Sequence, residues 1–279
     1  MLTDNQTNFL YLPDSLPEKY PEFYQRLENL FQENQISFAV LPNTKDIWAV
    51  DYMPIQISEN KFVQFKYDPD YLKFKKYAET ISNVDYICDS LKMLRTKSDI
   101  ILDGGNVIKS KNKVILCDKI FEENPTYSRK DLGNKLKELF EVEKLYIIPQ
   151  QPGDIIGHAD GMLRFLDENT VLINDLSKEK NKIFERSFKT ALDNAELDYI
   201  EIPYNPYNNQ KSIHANGIYI NYIEMKDIII LPVFDMKEDV IAIQQFKRLF
   251  PENKILPIES NEIAYGGGVL NCISWNIYL

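Results

Sequence analysis

Cys272, His158, Asp160 and Asp51 are residues of the types that carry out nucleophilic chemistry on a positively charged centre. Cys272 follows Gly266-Gly267-Gly268-Val269-Leu270-Asn271. Glycines let a backbone pass close to a ligand, so a cysteine just beyond such a run can be presented at a cavity wall. Its neighbours Leu270 and Ile273 look like strand residues, however, and on Cys272 alone an inert buried thiol is the stronger reading. Cys88 and Cys117 lie in apolar strand contexts and read as inert as well. His158 changes the balance, because it stands two residues before Asp160 in Gly157-His158-Ala159-Asp160-Gly161. In an extended segment residues i and i+2 face the same side, so both would project into one cavity. A cysteine served by a histidine, with carboxylates nearby, is a nucleophile constellation. One carboxylate beside a thiolate raises the thiol pKa; two make sense if a cation binds between them.

These residues belong to a pattern written five times. Its copies begin at Asp46-Ile47-Trp48-Ala49-Val50-Asp51, Asp99-Ile100-Ile101-Leu102-Asp103-Gly104-Gly105-Asn106, Asp154-Ile155-Ile156-Gly157-His158, Ser212-Ile213-His214-Ala215-Asn216-Gly217 and Glu262-Ile263-Ala264-Tyr265-Gly266. Asp51 and Asp103 fill the corresponding position in the first two copies. The anchors are 53, 55, 58 and 50 residues apart, a period of repeated supersecondary units. Pro149, Pro203 and Pro257, each 54 residues from the next, close strands on the same period.

Between the slots, each unit reads strand, helix, strand, slot and a further strand. Apolar runs predict strands over Asn8–Leu12, Ser37–Pro42, Lys61–Phe65, Asp85–Cys88, Lys113–Asp118, Leu145–Pro149, Val171–Asp175, Asp198–Pro203, Ile228–Pro232 and Lys254–Pro257. Helical spacing predicts helices over Glu18–Asn34, Tyr71–Ile81, Arg129–Phe140, Lys182–Asn194 and Glu238–Phe250. Such units cannot bury their faces singly. The expected fold is therefore α/β: a five-bladed pseudo-symmetric propeller in one domain spanning residues 1–279. A doubly wound sheet is the rival, since strands alternate with helices.

The formal net charge of -10 disfavours a nucleic-acid surface and is compatible with a cationic small substrate. Three cysteines are too few for a disulfide framework, and no metal-ligand spacing of the zinc type appears. A polar start with no long apolar run gives the expectation of a cytoplasmic chain without signal peptide or membrane span.

Trp48-Ala49-Val50-Asp51-Tyr52-Met53-Pro54, Asp103-Gly104-Gly105-Asn106, Gly157-His158-Ala159-Asp160 through Arg164-Phe165, and Gly266-Gly267-Gly268 through Cys272 resemble the agmatine deiminase and bacterial peptidylarginine deiminase family. The resemblance covers nearly the whole chain in order. It implies the pentein fold, the five-bladed propeller of guanidine-modifying enzymes, with neither metal nor organic cofactor. It further implies that Cys272 attacks a guanidinium carbon, that His158 serves as acid and base, and that Asp51 and Asp160 grip the guanidinium nitrogens. Trp48, Asp103 and Gly268 are expected to line the substrate site, although Trp48 suits a core equally well and Gly104 and Gly105 suit a tight turn. Arg164 would hold a substrate carboxylate or a neighbouring aspartate. His214 and Asn216 read as structural. The implied substrate is a guanidino compound, agmatine first and arginine or peptidyl-arginine next, giving a ureido product and ammonia as in putrescine and polyamine synthesis. Amidino transfer and a non-catalytic propeller that binds cations are the rivals, and a homodimer is an allowed assembly. Two positions depart from the family pattern: Val50 stands where it usually has Arg, and Asn271 where it commonly has His before the nucleophile. The chain is also shorter than typical agmatine deiminases.

Overall fold

The computed structural model describes residues 1–73, 77, 79–207, 209–211 and 213–279. Its strands form five separate three-stranded sheets, not the single sheet of a doubly wound fold. The strands are β1 (Phe9–Pro13), β2 (Phe38–Leu41), β3 (Ile55–Ser58), β4 (Lys61–Lys66), β5 (Thr96–Ile101), β6 (Ile108–Lys109), β7 (Lys113–Cys117) and β8 (Lys144–Ile148). They continue with β9 (Leu163–Phe165), β10 (Thr170–Asn174), β11 (Asp198–Ile202), β12 (Ile223–Met225), β13 (Ile228–Val233), β14 (Lys254–Glu259) and β15 (Trp275–Ile277). The sheet orders are β15-β1-β2, β3-β4-β5, β6-β7-β8, β11-β10-β9 and β12-β13-β14. In β6-β7-β8 the middle strand runs antiparallel to the strand after the slot and parallel to the strand beyond the helix. The sheet β12-β13-β14 repeats this, and β15-β1-β2 does so with strands drawn from both ends of the chain.

The connecting helices share one buried stripe. Phe23, Leu27 and Phe31 are buried in the helix Pro21–Glu33, Leu132, Leu136 and Phe140 in Arg129–Phe140, and Phe184, Phe188 and Leu192 in Lys182–Asn194. The i, i+4, i+8 spacing puts each triplet on one face. Each such side chain contributes about 1.5–3 kcal/mol on burial. Ser128 and Asn181 start two of these helices by accepting the N–H of Asp131 and Phe184, satisfying a donor that the first turn leaves open. The middle strands β7 and β10 are buried on both faces and read as unbroken apolar runs, Val114–Cys117 and Val171–Ile173.

Several elements differ from expectation, β5 at Thr96–Ile101 among them, where no strand is expected. The helix expected over Glu18–Asn34 is two, Leu16–Lys19 and Pro21–Glu33, because Pro21 pushes Tyr20 out of the helical region, to φ -138° and ψ 67°. The strand expected at Asp85–Cys88 is a helix, Val84–Ser90, begun by the Asn83 carboxamide accepting from the Tyr86 N–H. Its buried residues Val84, Ile87 and Cys88 have helical rather than alternating spacing. Of the helix expected over Tyr71–Ile81, residues 74–76 and 78 lie outside the described residues, as does Ser212, and Asp70–Leu72 forms a 3-10 turn.

The chain divides into two compact units. The first comprises Met1–Thr3, Asp51–Glu79 and Leu94–Glu201, and the second Asp4–Val50, Thr80–Met93 and Ile202–Leu279. Ile57, Val63, Leu102, Val114, Leu116, Leu132, Leu136 and Phe140 belong to one apolar cluster of the first unit. Among the described residues no helix is long and apolar enough to cross a membrane.

Candidate active site

In the first unit three repeat slots deliver their polar residues to one buried cluster. Asp51 sits in the short helix Ala49–Tyr52, and Asp103 stands between β5 and the 3-10 turn Gly104–Asn106. His158 follows Gly157, whose φ of 73° suits a residue without a β-carbon. The imidazole lies between two carboxylates. Its Nε2 is 3.1 Å from Asp103 Oδ2, and its Nδ1 is 3.5 Å from Asp51 Oδ1. The turn ties these groups together through its backbone: the Gly105 N–H donates to Asp51 Oδ1 at 3.1 Å, and the Gly105 carbonyl accepts from the Asp160 N–H at 3.0 Å. A β-carbon on Gly105 would lie 2.6 Å from both Asp51 Oδ1 and His158 Nδ1. Gly105 is thus required by close approach to the cluster, and it lies in the turn expected there.

His158 and Asp160 are brought near each other, though not by an extended strand. Residues 159–162 bend, with the Met162 and Leu163 N–H groups both donating to the Ala159 carbonyl. The Asp160 N–H is taken by the Gly105 carbonyl, not by a neighbouring strand.

The electrostatics of the cluster follow from burial and crowding. Burial pushes the Asp51 carboxyl well above the usual carboxylate range, and the charges of Asp103 and Asp160 add to that. For His158 burial works the other way, but Asp51, the hydrogen-bonded Asp103 and Asp160 outweigh it and raise the imidazole to about 10. Glu123, on the helix Lys119–Glu123, is raised to about 8, first by burial and then by Asp103. Asp103 Oδ1 and Glu123 Oε1 are buried and accept no hydrogen bond from the described residues. A buried cluster of carboxyl groups with open acceptor atoms has the chemistry to accept hydrogen bonds from N–H donors.

Tyr71 and Glu123 were not singled out in the sequence. The Tyr71 hydroxyl donates to Asp103 Oδ2 at 2.7 Å, but it lies outside every repeat slot and has no counterpart in the other copies. Glu123 stands in an ordinary charged stretch, Lys119-Ile120-Phe121-Glu122-Glu123. Arg164 is buried on β9.

The second unit holds Cys272, Trp48 and Gly268. Cys272 is half-buried on a turn, not on the strand that Leu270 and Ile273 resemble. Both neighbours are fully buried, so they anchor the turn and present the residue between them. Asn221 completes the anchor: its side-chain oxygen accepts from the Cys272 N–H at 3.3 Å and from the thiol at 3.4 Å. No motif points to Asn221. The Cys272 carbonyl accepts from the Val50 N–H at 3.3 Å. A β-carbon on Gly268 would fall 2.5 Å from the Trp48 ring and 3.0 Å from the Cys272 β-carbon, so glycine lets these two side chains close over the backbone. Cys88 and Cys117 are buried. His214 lies edge-on to Tyr265, with ring centroids 5.1 Å apart, and the Asn216 carboxamide bonds to Asn261. Among the described residues no group of His, Cys, Asp and Glu side chains could hold a metal ion.

Known proteins resemble the chain in sequence and in fold. A Streptococcus mutans protein carried as a candidate agmatine deiminase is 26% identical over 247 residues, which is 75% of this chain and 63% of that protein. The Pseudomonas aeruginosa agmatine deiminase is 22% identical over 208 residues, 63% of this chain and 56% of the other. The chain thus matches less than two thirds of the length of these curated relatives. A variant of C. jejuni agmatine deiminase solved with substrate bound superposes with a TM-score of 0.80 at 19% identity, covering 100% of this chain and 96% of that one. The fold class is therefore the expected one, α/β with five pseudo-equivalent units, the pentein fold that the family resemblance implies. The model of the Porphyromonas-type peptidyl-arginine deiminase family matches residues 17–277, and the chain belongs to that family.

Proposed function

We propose that the protein hydrolyses the guanidino group of a small cationic substrate, agmatine first among the candidates, to a ureido group and ammonia. The observation that carries the proposal is the His158 imidazole held between Asp103 and Asp51 in a buried acidic cluster. A planar guanidinium supplies the paired N–H donors that such a cluster lacks. The relatives named agmatine deiminase, and the substrate-bound variant among them, support the same substrate class.

In this reading the Cys272 thiolate forms a bond to the guanidinium carbon, and the tetrahedral adduct loses ammonia after taking a proton from the His158 imidazolium. The resulting amidino thioether cation is then attacked by water, which gives up one proton to His158. The carbon–sulfur bond breaks, returning the thiolate, and the remaining hydroxyl proton passes to solvent. There ammonia takes it up as ammonium, leaving a neutral ureido product. Asp51 and Asp160 hold guanidinium nitrogens, and Trp48, Asp103 and Gly268 shape the site. The reading requires Cys272 and His158 to act on the same carbon.

A panel of agmatine, arginine, methylated arginines and arginine peptides, scored for ammonia and ureido product, tests this. Ammonia with an equal amount of ureido product supports hydrolysis, and a new guanidino compound means amidino transfer. Silence across the whole panel at several pH values leaves a cation-binding protein without turnover.

A further inference from the structure

We propose that Tyr71 is a positioning residue that acts on His158 through Asp103, sharing one carboxylate oxygen with the imidazole and so limiting how firmly that carboxylate holds the ring's proton. The Tyr71 hydroxyl donates to Asp103 Oδ2 at 2.7 Å, and His158 Nε2 approaches the same atom at 3.1 Å. Oδ1 of that carboxylate is buried and accepts nothing from the described residues. Both donors therefore compete for one oxygen while the other is left open to a ligand.

Tyr71 is held in register from behind. Asp70, its neighbour, pairs with the Lys119 ammonium at 2.7 Å, and the Lys119 side chain is 93% buried. The aliphatic stem of Lys119 runs so close to Gly157 that a β-carbon there would come within 2.9 Å of it. One buried lysine thus links the segment bearing Tyr71 to the residue before His158. The Tyr71 ring stands edge-on to the imidazole, with centroids 6.4 Å apart. Burial and Asp103 hold the phenol pKa well above its usual value, so its hydroxyl keeps its proton and remains a donor.

Other charged groups around His158 act in one direction. Asp51 at Nδ1, Asp103 at Nε2 and nearby Asp160 and Glu123 all favour the imidazolium, and Lys119 is committed to Asp70. An acid that must also act as base works best with a pKa near the working pH. A donor that takes part of Asp103's acceptor strength moves His158 towards that range. For its catalytic meaning the inference rests on the deiminase reading; its test does not.

The chain has two histidines, so a His214→Asn background leaves one imidazole to follow by NMR in 15N-labelled protein without substrate. Tyr71→Phe keeps the ring and removes the hydroxyl, and is expected to raise the His158 midpoint by about half a unit or more. Asp103→Asn is expected to lower that midpoint, and in the Asp103→Asn background the tyrosine change is expected to have no further effect. An unchanged or lowered midpoint in Tyr71→Phe overturns the proposal, as does the same rise persisting without the Asp103 charge. Should Tyr71→Phe fail to fold, Asp103→Asn alone still decides, since an unmoved His158 midpoint there removes the route from Tyr71 to the imidazole. If the protein releases ammonia, the alkaline limb of its rate profile moves up with the midpoint in Tyr71→Phe. A shifted midpoint with no ammonia from any substrate overturns the deiminase reading and leaves the positioning role standing.

Discussion

Gly105 and His158 are in such close contact that a single methyl group on the glycine would sit 2.6 Å from the imidazole Nδ1. The same methyl would meet Asp51 Oδ1 at 2.6 Å, so the turn leaves neither partner room to retreat alone. Gly105→Ala is expected to displace one or both side chains. Overpacking of this kind costs about 1–3 kcal/mol of stability. Activity is expected to fall further, by about a hundredfold, as misplaced catalytic groups do. Kinetics together with a denaturant titration check this; a variant with wild-type turnover separates Gly105 from the site.

The pH dependence of stability carries the signature of the same cluster. The His158 midpoint is raised from 6.5 to about 10 in the folded chain. A folded state that binds its proton more tightly than the unfolded chain has that extra stability in full below pH 6.5 and loses it as pH rises through about 10. Asp51, raised by burial, loses stability in the same direction as its proton leaves. Urea unfolding measured from neutral to alkaline pH is therefore expected to show a steeper decline for the wild type than for His158→Asn. Parallel curves for the two proteins would contradict the proton-binding role given to His158.

Cys272→Ala is expected to abolish ammonia release while retaining ligand binding, because it removes the proposed nucleophile and leaves the carboxyl cluster intact. Calorimetric titration with agmatine, beside a turnover assay, reads both properties. Residual turnover near the wild-type rate sinks the covalent mechanism.

Asn221→Ala is expected to act through Cys272 without touching the acidic cluster. It removes the acceptor for the Cys272 N–H and thiol. Losing the partner of a buried donor costs about 1–3 kcal/mol. Thiol labelling at Cys272 is expected to accelerate as the turn loosens, and an unaltered labelling rate refutes the anchoring role.

Leu136→Ala tests the shared helix stripe. The residue is 1% exposed within the apolar cluster of the first unit. Creating a cavity at such a position costs about 2–5 kcal/mol. Chemical denaturation that reports less than about 0.5 kcal/mol would place Leu136 outside a packed core.

The sequence by itself determined the repeat, the order of strand and helix in most of its copies, and helix faces such as that of Arg129–Phe140. Phe184, Phe188 and Leu192 announce their common face because helical periodicity is local. The slot residues were legible for a related reason: glycine and polar residues recurring on a regular period stand out against apolar strands. Short elements were less legible. Val84–Ser90 carries β-favouring residues, and its helix is decided by the Asn83 cap and by burial of Val84, Ile87 and Cys88. Tertiary structure alone decided that Asp103 bonds to His158 and that Tyr71 shares its oxygen. It also decided that Gly105 and Asp160 join through their backbones and that Asn221 holds the Cys272 turn. Those contacts link residues far apart in the chain, 55 positions in the case of Asp103 and His158. Side chains of that kind meet only when packed sheets and helices bring their loops together, and no local spacing encodes the meeting.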